Sequence, residues 1–337
     1  MTSLRKVAER AGVSVATASR VASGSAPVSA VTRQRVERAM RELLYVPPER
    51  PAASGVIGLL LPELSNPVFP AFAQAMEVRA ATLGFASIVC NTAGSPSTET
   101  EYVHMLLERR VDGMIFISCE MADLKADHTH YAALVAKGAR LVFVNGSVGS
   151  FAVPAVGVDE RSAGFLATEH LIGLGHRRIG FVAGPAYYVP TRDKGVGRSE
   201  ALAAAGLPDG LVAHGEFNVE GGRKAFRELW SRAADERPTA VICSNDLMAI
   251  GTVLEAAELG LEVPRDASVV GFDGIDAATW LRPSLTTVEQ PIRDIAETAV
   301  DALQSLIRNP ERPLPDFVFR PRLRIAASTA PPAKESA

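Results

Sequence analysis

Val15, Ala16, Ser19 and Arg20 share the outward face of what reads as a short helix, and Arg20 carries the chemistry. A guanidinium can grip the O6 and N7 acceptors of a guanine, which discriminates against other bases by about 1–3 kcal/mol. Val15 and Ala16 have no hydrogen bonds to give, so they can only pack on thymine methyls or leave their positions weakly read. The competing readings are packing at the helix start for Val15 and a solvated surface charge for Arg20. Other chemistries find less support. Asp127-His128-Thr129-His130 holds an HxH pair without a third ligand, and no metal is expected. His176 reads as a structural turn residue. Cys90, Cys119 and Cys243 are widely spaced, lack any CxxC pairing, and read as reduced structural thiols rather than a zinc site. Gly173-x-Gly175 lacks the further glycine and spaced acid of a nucleotide fingerprint. No paired acid, triad or phosphate loop is present, so neither an enzyme nor a cofactor is expected.

The elements that must position Arg20 can be read locally. Leu4, Val7, Ala8 and Ala11 fall on one helical face. Gly12 supplies a sharp turn, because without a Cβ it tolerates the left-handed backbone needed there. Ser14 is a good N-cap for a second helix from about Val15 to Ser23, with Thr17 or Ala18 and Val21 turned inward. Ser29 announces a third helix from Val31 to Leu43, with Val36, Ala39, Met40 and Leu43 inward. Three short helices with a tight second turn would present helix two to a DNA groove. Charge agrees: residues 1–50 hold nine Arg or Lys against four Glu, so this stretch is +5 where the whole chain is −3 and the remainder −8. A basic head on an acidic body suits a module that binds phosphate backbones while its body stays clear of them.

The remaining residues read as a large sensor. The chain of 337 residues is 47% apolar, enough for two or three domains, yet no run approaches the length of a membrane helix. Charges fill the N-terminal MTSLRKVAERAG where a signal peptide needs an apolar stretch, so a cytoplasmic location is expected. From Val56 short apolar strands alternate with amphipathic helices, and the alternation restarts after Val156. Such a text argues for two doubly wound, parallel-sheet lobes. Ligands of such sheets bind at the carboxyl ends of the strands, here the cleft between lobes.

The run Val7-Ala8-x-x-Ala11-Gly12-Val13-Ser14-x-x-Thr17-x-Ser19-Arg20-Val21, followed by Val28-Ser29-x-x-Thr32-x-x-x-Val36 and Tyr45-x-Pro47, closely resembles the head of the lactose-repressor (LacI) family. Further words of that family follow in order, among them Ser65-Asn66-Pro67, Gly175-His176-Arg177-Arg178-Ile179 and Val269-Val270-Gly271-Phe272-Asp273, so the resemblance covers nearly the whole chain. It implies an N-terminal all-α helix-turn-helix head (1–46) and an α/β two-lobed periplasmic-binding-protein type I-like sensor (56–330). Lobe one is expected at about 56–156 and 289–316, lobe two at about 157–288 and 317–330, and a polar tail at 331–337. By position, Val15, Ala16 and Arg20 would face base edges, while Ser14, Thr17, Ser29 and Thr32 would hold phosphates. The chain departs from the family between the units. Where the family has a hinge helix that wedges a Leu into the minor groove, residues 47–55 here contain Pro47, Pro48 and Pro51 and no leucine. Prolines remove amide donors and favour extended neighbours, so a hinge helix is not expected.

The resemblance also implies an effector pocket: Ser65, Asn66, Phe69 and Asn145 from lobe one, Phe217, Asn245 and Asp273 from lobe two, and Gln290 near a crossover. Polar groups would meet adjacent hydroxyls and an aromatic ring would stack on a sugar or base face. Asn245 could instead cap the following helix, and Phe217 could be core. For the family's ligand-clamping arginine both Arg192 and Lys194 fit, and the bidentate fork of a guanidinium favours Arg192. The implied function is a regulator, most readily a repressor of a carbohydrate-utilisation operon. It would bind a palindromic double-stranded DNA operator as a homodimer under control of a small sugar-like effector, with no membrane partner. The alternatives are a cytosolic solute-binding or sensor protein without specific DNA binding, and a regulator responding to a nucleoside or purine.

Overall fold

The computed structural model describes residues 4–23, 28–43, 45, 55–146 and 153–333, and the chain divides into two compact units between Ser54 and Gly55. Of the linker at 47–55, only Gly55 is among the described residues, so the expectation that it forms no hinge helix lies outside them.

The head is three helices, α1 (Leu4–Ala11), α2 (Val15–Ser23) and α3 (Ala30–Glu42). Val7, Ala8, Ala11, Ala18, Val36 and Ala39 form its buried core. Gly12 turns the chain at φ +62°. Ser14 Oγ accepts the amide of Thr17 at 3.1 Å and Ser29 Oγ that of Thr32 at 3.3 Å, so both helices start on hydroxyl caps. Arg35 donates to the carbonyls of Ala11 (2.6 Å) and Gly12 (3.2 Å), satisfying the end of α1 and fixing the turn. Its charge is spent on the fold.

In the sensor, the first lobe runs β1 (Gly55–Leu61), α4 (Val68–Thr82), β2 (Phe85–Asn91), α5 (Pro96–Glu108), β3 (Gly113–Ile117), α6 (Thr129–Ala136), β4 (Leu141–Val144) and β5 (Ala155–Val158). The second runs α7 (Glu160–Gly173), β6 (Ile179–Ala183), α8 (Val189–Ala204), β7 (Val212–His214), α9 (Val219–Trp230), β8 (Ala240–Cys243), α10 (Asp246–Glu258), β9 (Ser268–Asp273), α11 (Ala277–Trp280) and β10 (Thr286–Glu289). The chain then returns to the first lobe for α12 (Ile292–Arg308) and β11 (Phe317–Phe319) before ending in the second with β12 (Arg322–Arg324). The sheets are ordered β11-β5-β4-β3-β1-β2 and β12-β10-β9-β8-β6-β7, parallel throughout except where β12 runs antiparallel to β10. Every residue of β3, β4, β6, β8 and β9 is buried, as strands covered by helices on both faces require. No helix among the described residues is long and apolar enough to cross a membrane.

Two expected boundaries shift. Residues 317–319 belong to the first lobe, because Phe317–Phe319 pair with Val156–Val158 and the Asp316 carboxylate accepts the Ala155 amide at 2.8 Å. The third crossing therefore lies between Phe319 and Arg322, and the first follows Val158 instead of Val156. Ahead of the tail, the chain is tied down at Ser328 and Ala330. Ser328 is buried, its hydroxyl bonding the Thr286 amide (2.8 Å) and the Val269 carbonyl (2.6 Å), and the Ala330 carbonyl accepts from His176 at 2.9 Å. His176 is thus a structural residue, buried and held by Thr239 and Ser268 as well.

The second helix of lobe two begins at Val189. Gly195 and Gly197 lower its intrinsic propensity, and packing overrides them. Where α7 meets α8, a Cβ at Gly164 would collide with the Lys194 carbonyl oxygen and one at Gly197 with the Arg161 carbonyl oxygen. The two backbones approach as closely as glycine permits.

Asp246 opens α10 and is fully buried. Its carboxylate accepts the amides of Gly274 (2.8 Å) and Ile275 (2.9 Å) and the hydroxyl of Thr287 (2.6 Å), tying α10 to the turn after β9 and to β10. Burial nevertheless pushes its carboxyl from 3.8 up to about 7. The folded state then holds a proton that the unfolded chain releases, a stabilisation fully present below pH 3.8 and lost as pH rises to about 7. Asp246→Asn puts an NH2 where an acceptor is needed and should cost about 1–3 kcal/mol in urea unfolding. The advantage of the parent chain over this variant should be smaller at about pH 7.5 than at about pH 5. An equal advantage at both would mean that Asp246 does not titrate in this window.

Candidate functional site

On the head, the start of α2 is open. Val15 is 47% exposed, so it does not pack at the helix start, and Ala16, Ser19 and Arg20 are exposed beside it. Ala18 is the inward residue, with Thr17 half-buried. The Ser14 and Thr17 hydroxyls lie 2.9 Å apart, and those of Ser29 and Thr32 also 2.9 Å. These pairs and the exposed residues of α2 put hydroxyls, two small apolar side chains and a guanidinium on the surface of the three-helix unit. Ion pairs with glutamates engage Arg5, Arg10 and Arg38.

In the sensor, a cavity of about 720 Å³ separates the lobes at the carboxyl ends of the strands. Ser65, Asn66, Phe69, Asn145, Phe217, Asn245, Asp273 and Gln290 all line it. Arg192 does not. It is exposed and pairs with its own neighbour Asp193 at 2.7 Å, while Lys194 enters the cavity instead. Two residues along a helix is about half a turn, so only one of the pair can face the cleft, and the contact of α7 with the Lys194 backbone selects the lysine.

Lys194 is 4% exposed. Its ammonium lies 2.5 Å from the Glu160 carboxylate and 3.7 Å from the centre of the Phe272 ring. Burial raises the Glu160 carboxyl, and the lysine partly offsets that. Asp273 is driven well above the usual carboxylate range, first by burial and then by nearby Asp246, against the pull of Lys194.

The floor of the cleft is a directed chain of hydrogen bonds between lobes. Asn145 Nδ2 donates to Gln290 Oε1 at 2.8 Å, and Gln290 Nε2 donates to Asp273 Oδ1 at 2.7 Å. Asn145 (φ +55°) and Asp273 (φ +116°) both hold left-handed backbones, the kind of strain that a site retains when surrounding structure enforces it. With Nδ2 committed, Asn145 Oδ1 is buried without a hydrogen-bond partner among the described residues, an acceptor that calls for a donor from the cleft. Asn245 is occupied differently. Its Oδ1 caps α10 at the Met248 amide (2.8 Å) and its Nδ2 holds the Phe217 carbonyl at 3.0 Å, so it positions the wall. Phe217 is half-buried and edge-on to Tyr188, with centroids 5.7 Å apart. Asn66 is likewise committed through Oδ1 to the Val68 amide at 3.2 Å, and the Ser65 hydroxyl donates to Glu63.

At the mouth, Asp123 of lobe one and Tyr188 of lobe two form an antiparallel bridge. The Leu124 amide donates to the Tyr187 carbonyl at 2.7 Å, and the Lys125 ammonium sits 4.4 Å over the Tyr187 ring. This clasp is a second link between the lobes. Sequence reasoning offered Lys194 beside Arg192 but preferred the arginine, and it missed Glu160, Tyr187, Tyr188 and Phe272. Asn91, Ser118 and Ser244 were findable, since each ends or follows a strand at its carboxyl end.

The comparisons with known proteins agree with both units. Residues 3–48 match the bacterial regulatory proteins of the lacI family, and residues 168–329 match the periplasmic binding protein-like domain. An uncharacterized HTH-type transcriptional regulator in the aml 5' region of Streptomyces limosus is 42% identical, over 97% of this chain and 94% of its own. The HTH-type transcriptional regulator MalR of Streptomyces coelicolor is 39% identical, over 98% and 97%. Among solved structures, a transcriptional regulator CelR–cellobiose complex superposes with a TM-score of 0.74 at 30% identity, covering 97% of this chain and 100% of that one. A lac repressor dimer bound to operator and the anti-inducer ONPF gives 0.72 at 29%, covering 98% and 99%. The chain belongs to the lacI family of bacterial regulatory proteins: it is a DNA-binding transcriptional regulator with a periplasmic-binding-protein-like sensor, and not an enzyme.

Proposed function

We propose that this regulator is a cytoplasmic repressor of carbohydrate utilisation that binds a palindromic operator as a homodimer and takes a neutral sugar of more than one ring in its cleft. The cleft carries the sugar reading. Its volume of about 720 Å³ lies high in the usual range of about 300–1,000 Å³ for small-molecule sites. Phe69, Tyr187, Tyr188 and Phe217 offer faces for sugar rings. Asn145 Oδ1, Asp273 and Lys194 offer hydrogen bonds to hydroxyls. The ammonium is already balanced by Glu160, which leaves little for a phosphate or carboxylate ligand. The cellobiose complex of a similar chain supports the same size class.

Each head would read one half-site, because a two-fold dimer demands two-fold DNA. Arg20 with Val15 and Ala16 would meet base edges, while Ser14, Thr17, Ser29 and Thr32 would hold phosphates, with Ser19 alongside. The operator-bound lac repressor dimer, similar over nearly its whole length, supports this arrangement. The sugar favours the closed cleft and so couples to operator affinity, reciprocally by linkage.

In a thermal-shift panel of mono- and oligosaccharides and nucleosides, a disaccharide or longer sugar should stabilise the chain, by about 2.7 kcal/mol at 100 times its Kd. Phe217→Ala should abolish most of that gain while leaving operator binding intact. A response to nucleosides alone would overturn the sugar assignment. In gel shifts on promoter-proximal palindromes, Arg20→Ala should lose about 1–3 kcal/mol of specific affinity and keep the salt-dependent non-specific binding. Failure of the parent chain to form a specific complex at any salt would favour a sensor that does not bind DNA specifically.

A further inference from the structure

One cluster of metal-ligating side chains lies outside the cavity. Glu99 of α5, Glu120 in the short 3-10 turn Glu120–Ala122 after β3, and His130 at the start of α6 bring one ligand atom each to within 4.8 Å of one another. The HxH pair in the sequence divides here. His128 Nε2 is 2.9 Å from the Glu120 carbonyl, whereas His130 turns toward the carboxylates.

The tautomer of a neutral His130 follows from its partner. Its Nδ1 is 3.0 Å from the Asp127 carbonyl, and a carbonyl can only accept, so Nδ1 carries the hydrogen. In the neutral imidazole Nε2 is the nitrogen with the lone pair, and it lies 4.0 Å from Glu120 Oε2. An imidazole oriented by a backbone carbonyl through one nitrogen, with the other turned toward acids, is how proteins prepare a metal ligand.

The carboxylates point the same way. Glu99 is 2% exposed, with the aromatic cluster of Phe116, Tyr131 and Phe143 around Tyr131. Its oxygens accept from the Tyr131 hydroxyl and from the Glu120 amide at 3.1 Å, which leaves each with a further lone pair. Among the described residues, no lysine or arginine pairs with Glu99 or Glu120. Two close carboxylates without a lysine or arginine beside them are costly when one is buried.

We propose that Glu99, Glu120 and His130 form a site for a first-row divalent cation, zinc in the first instance. Two oxygens and one imidazole nitrogen suit zinc better than magnesium or calcium, and three protein ligands leave a fourth position for water. Zinc ligands lie roughly 3.4 Å apart on a tetrahedron, so the three groups must close by about an ångström. The Glu120 and His130 side chains, 13% and 35% exposed, have the freedom to do so. The bound ion would fix the turn that ends at Ala122, a cleft-lining residue, immediately before the Asp123–Leu124 half of the interlobe clasp.

Titration calorimetry of the full chain, freed of metal with EDTA, should show one zinc ion per chain. Cobalt should add the visible absorption of a tetrahedral centre. His130→Ala and Glu120→Gln should each weaken zinc binding about 10- to 100-fold or more. Both should melt like the parent chain in EDTA, and only the parent should gain Tm from zinc. If the alanine variant melts early, His130→Gln gives the same comparison with the side-chain volume kept. Zinc binding no tighter than about 1 mM, or affinity undiminished in both variants, overturns the site.

Discussion

A single ammonium group balances the charge at the centre of the sensor. Lys194 is buried against Glu160 and the face of Phe272, with Asp273 near enough to feel it. Taking charges out of water is costly unless they are paired, and one lysine cannot neutralise Glu160, Asp246 and Asp273 together. Burial therefore pushes all three carboxyls upward. The result is a cleft rich in hydrogen-bonding groups and poor in net charge. That combination suits a polyhydroxylated, uncharged molecule better than an ionic one.

The same residues connect the site to the architecture. Asp246 fastens the turn that follows Asp273, and the chain Asn145–Gln290–Asp273 joins the lobes at the floor of the cleft. The Asp123–Tyr188 clasp joins them at the mouth. A ligand between floor and mouth touches elements that already bridge the two lobes. Its differential contacts with open and closed arrangements are all that binding can contribute to a switch.

Much of this was legible in residue order. The caps Ser14 and Ser29, the glycine at the turn and the apolar spacing define the head, since short helices are governed by local chemistry. Strand-length apolar runs likewise mark the parallel sheets. What escaped depended on contacts between distant segments. Arg192 looked the better clamp on chemical grounds, but the seating of α8 on α7 turns Lys194 inward. Arg35 resembles a phosphate-binding cation until its bonds to Ala11 and Gly12 are seen. Glu99, Glu120 and His130 come from three elements, and no short motif could have gathered them. The third crossing was misplaced because Phe317–Phe319 pair with a strand some 160 residues earlier, a pairing on the order of a domain's length and invisible to local pattern.

The contact between α7 and α8 also decides how the second lobe can move. With Gly164 and Gly197 against opposing carbonyls, these helices pack backbone to backbone with no room for a Cβ between them, a contact that transmits strain instead of absorbing it. Compliance is left to the three connecting segments near residues 159, 290 and 320, where the chain passes between sheets. With its α7–α8 layer packed this closely, the second lobe turns about those segments as a stiff lever. What the sensor delivers on binding is then an angle, amplified with distance from the pivot, instead of a local deformation that fades as it spreads.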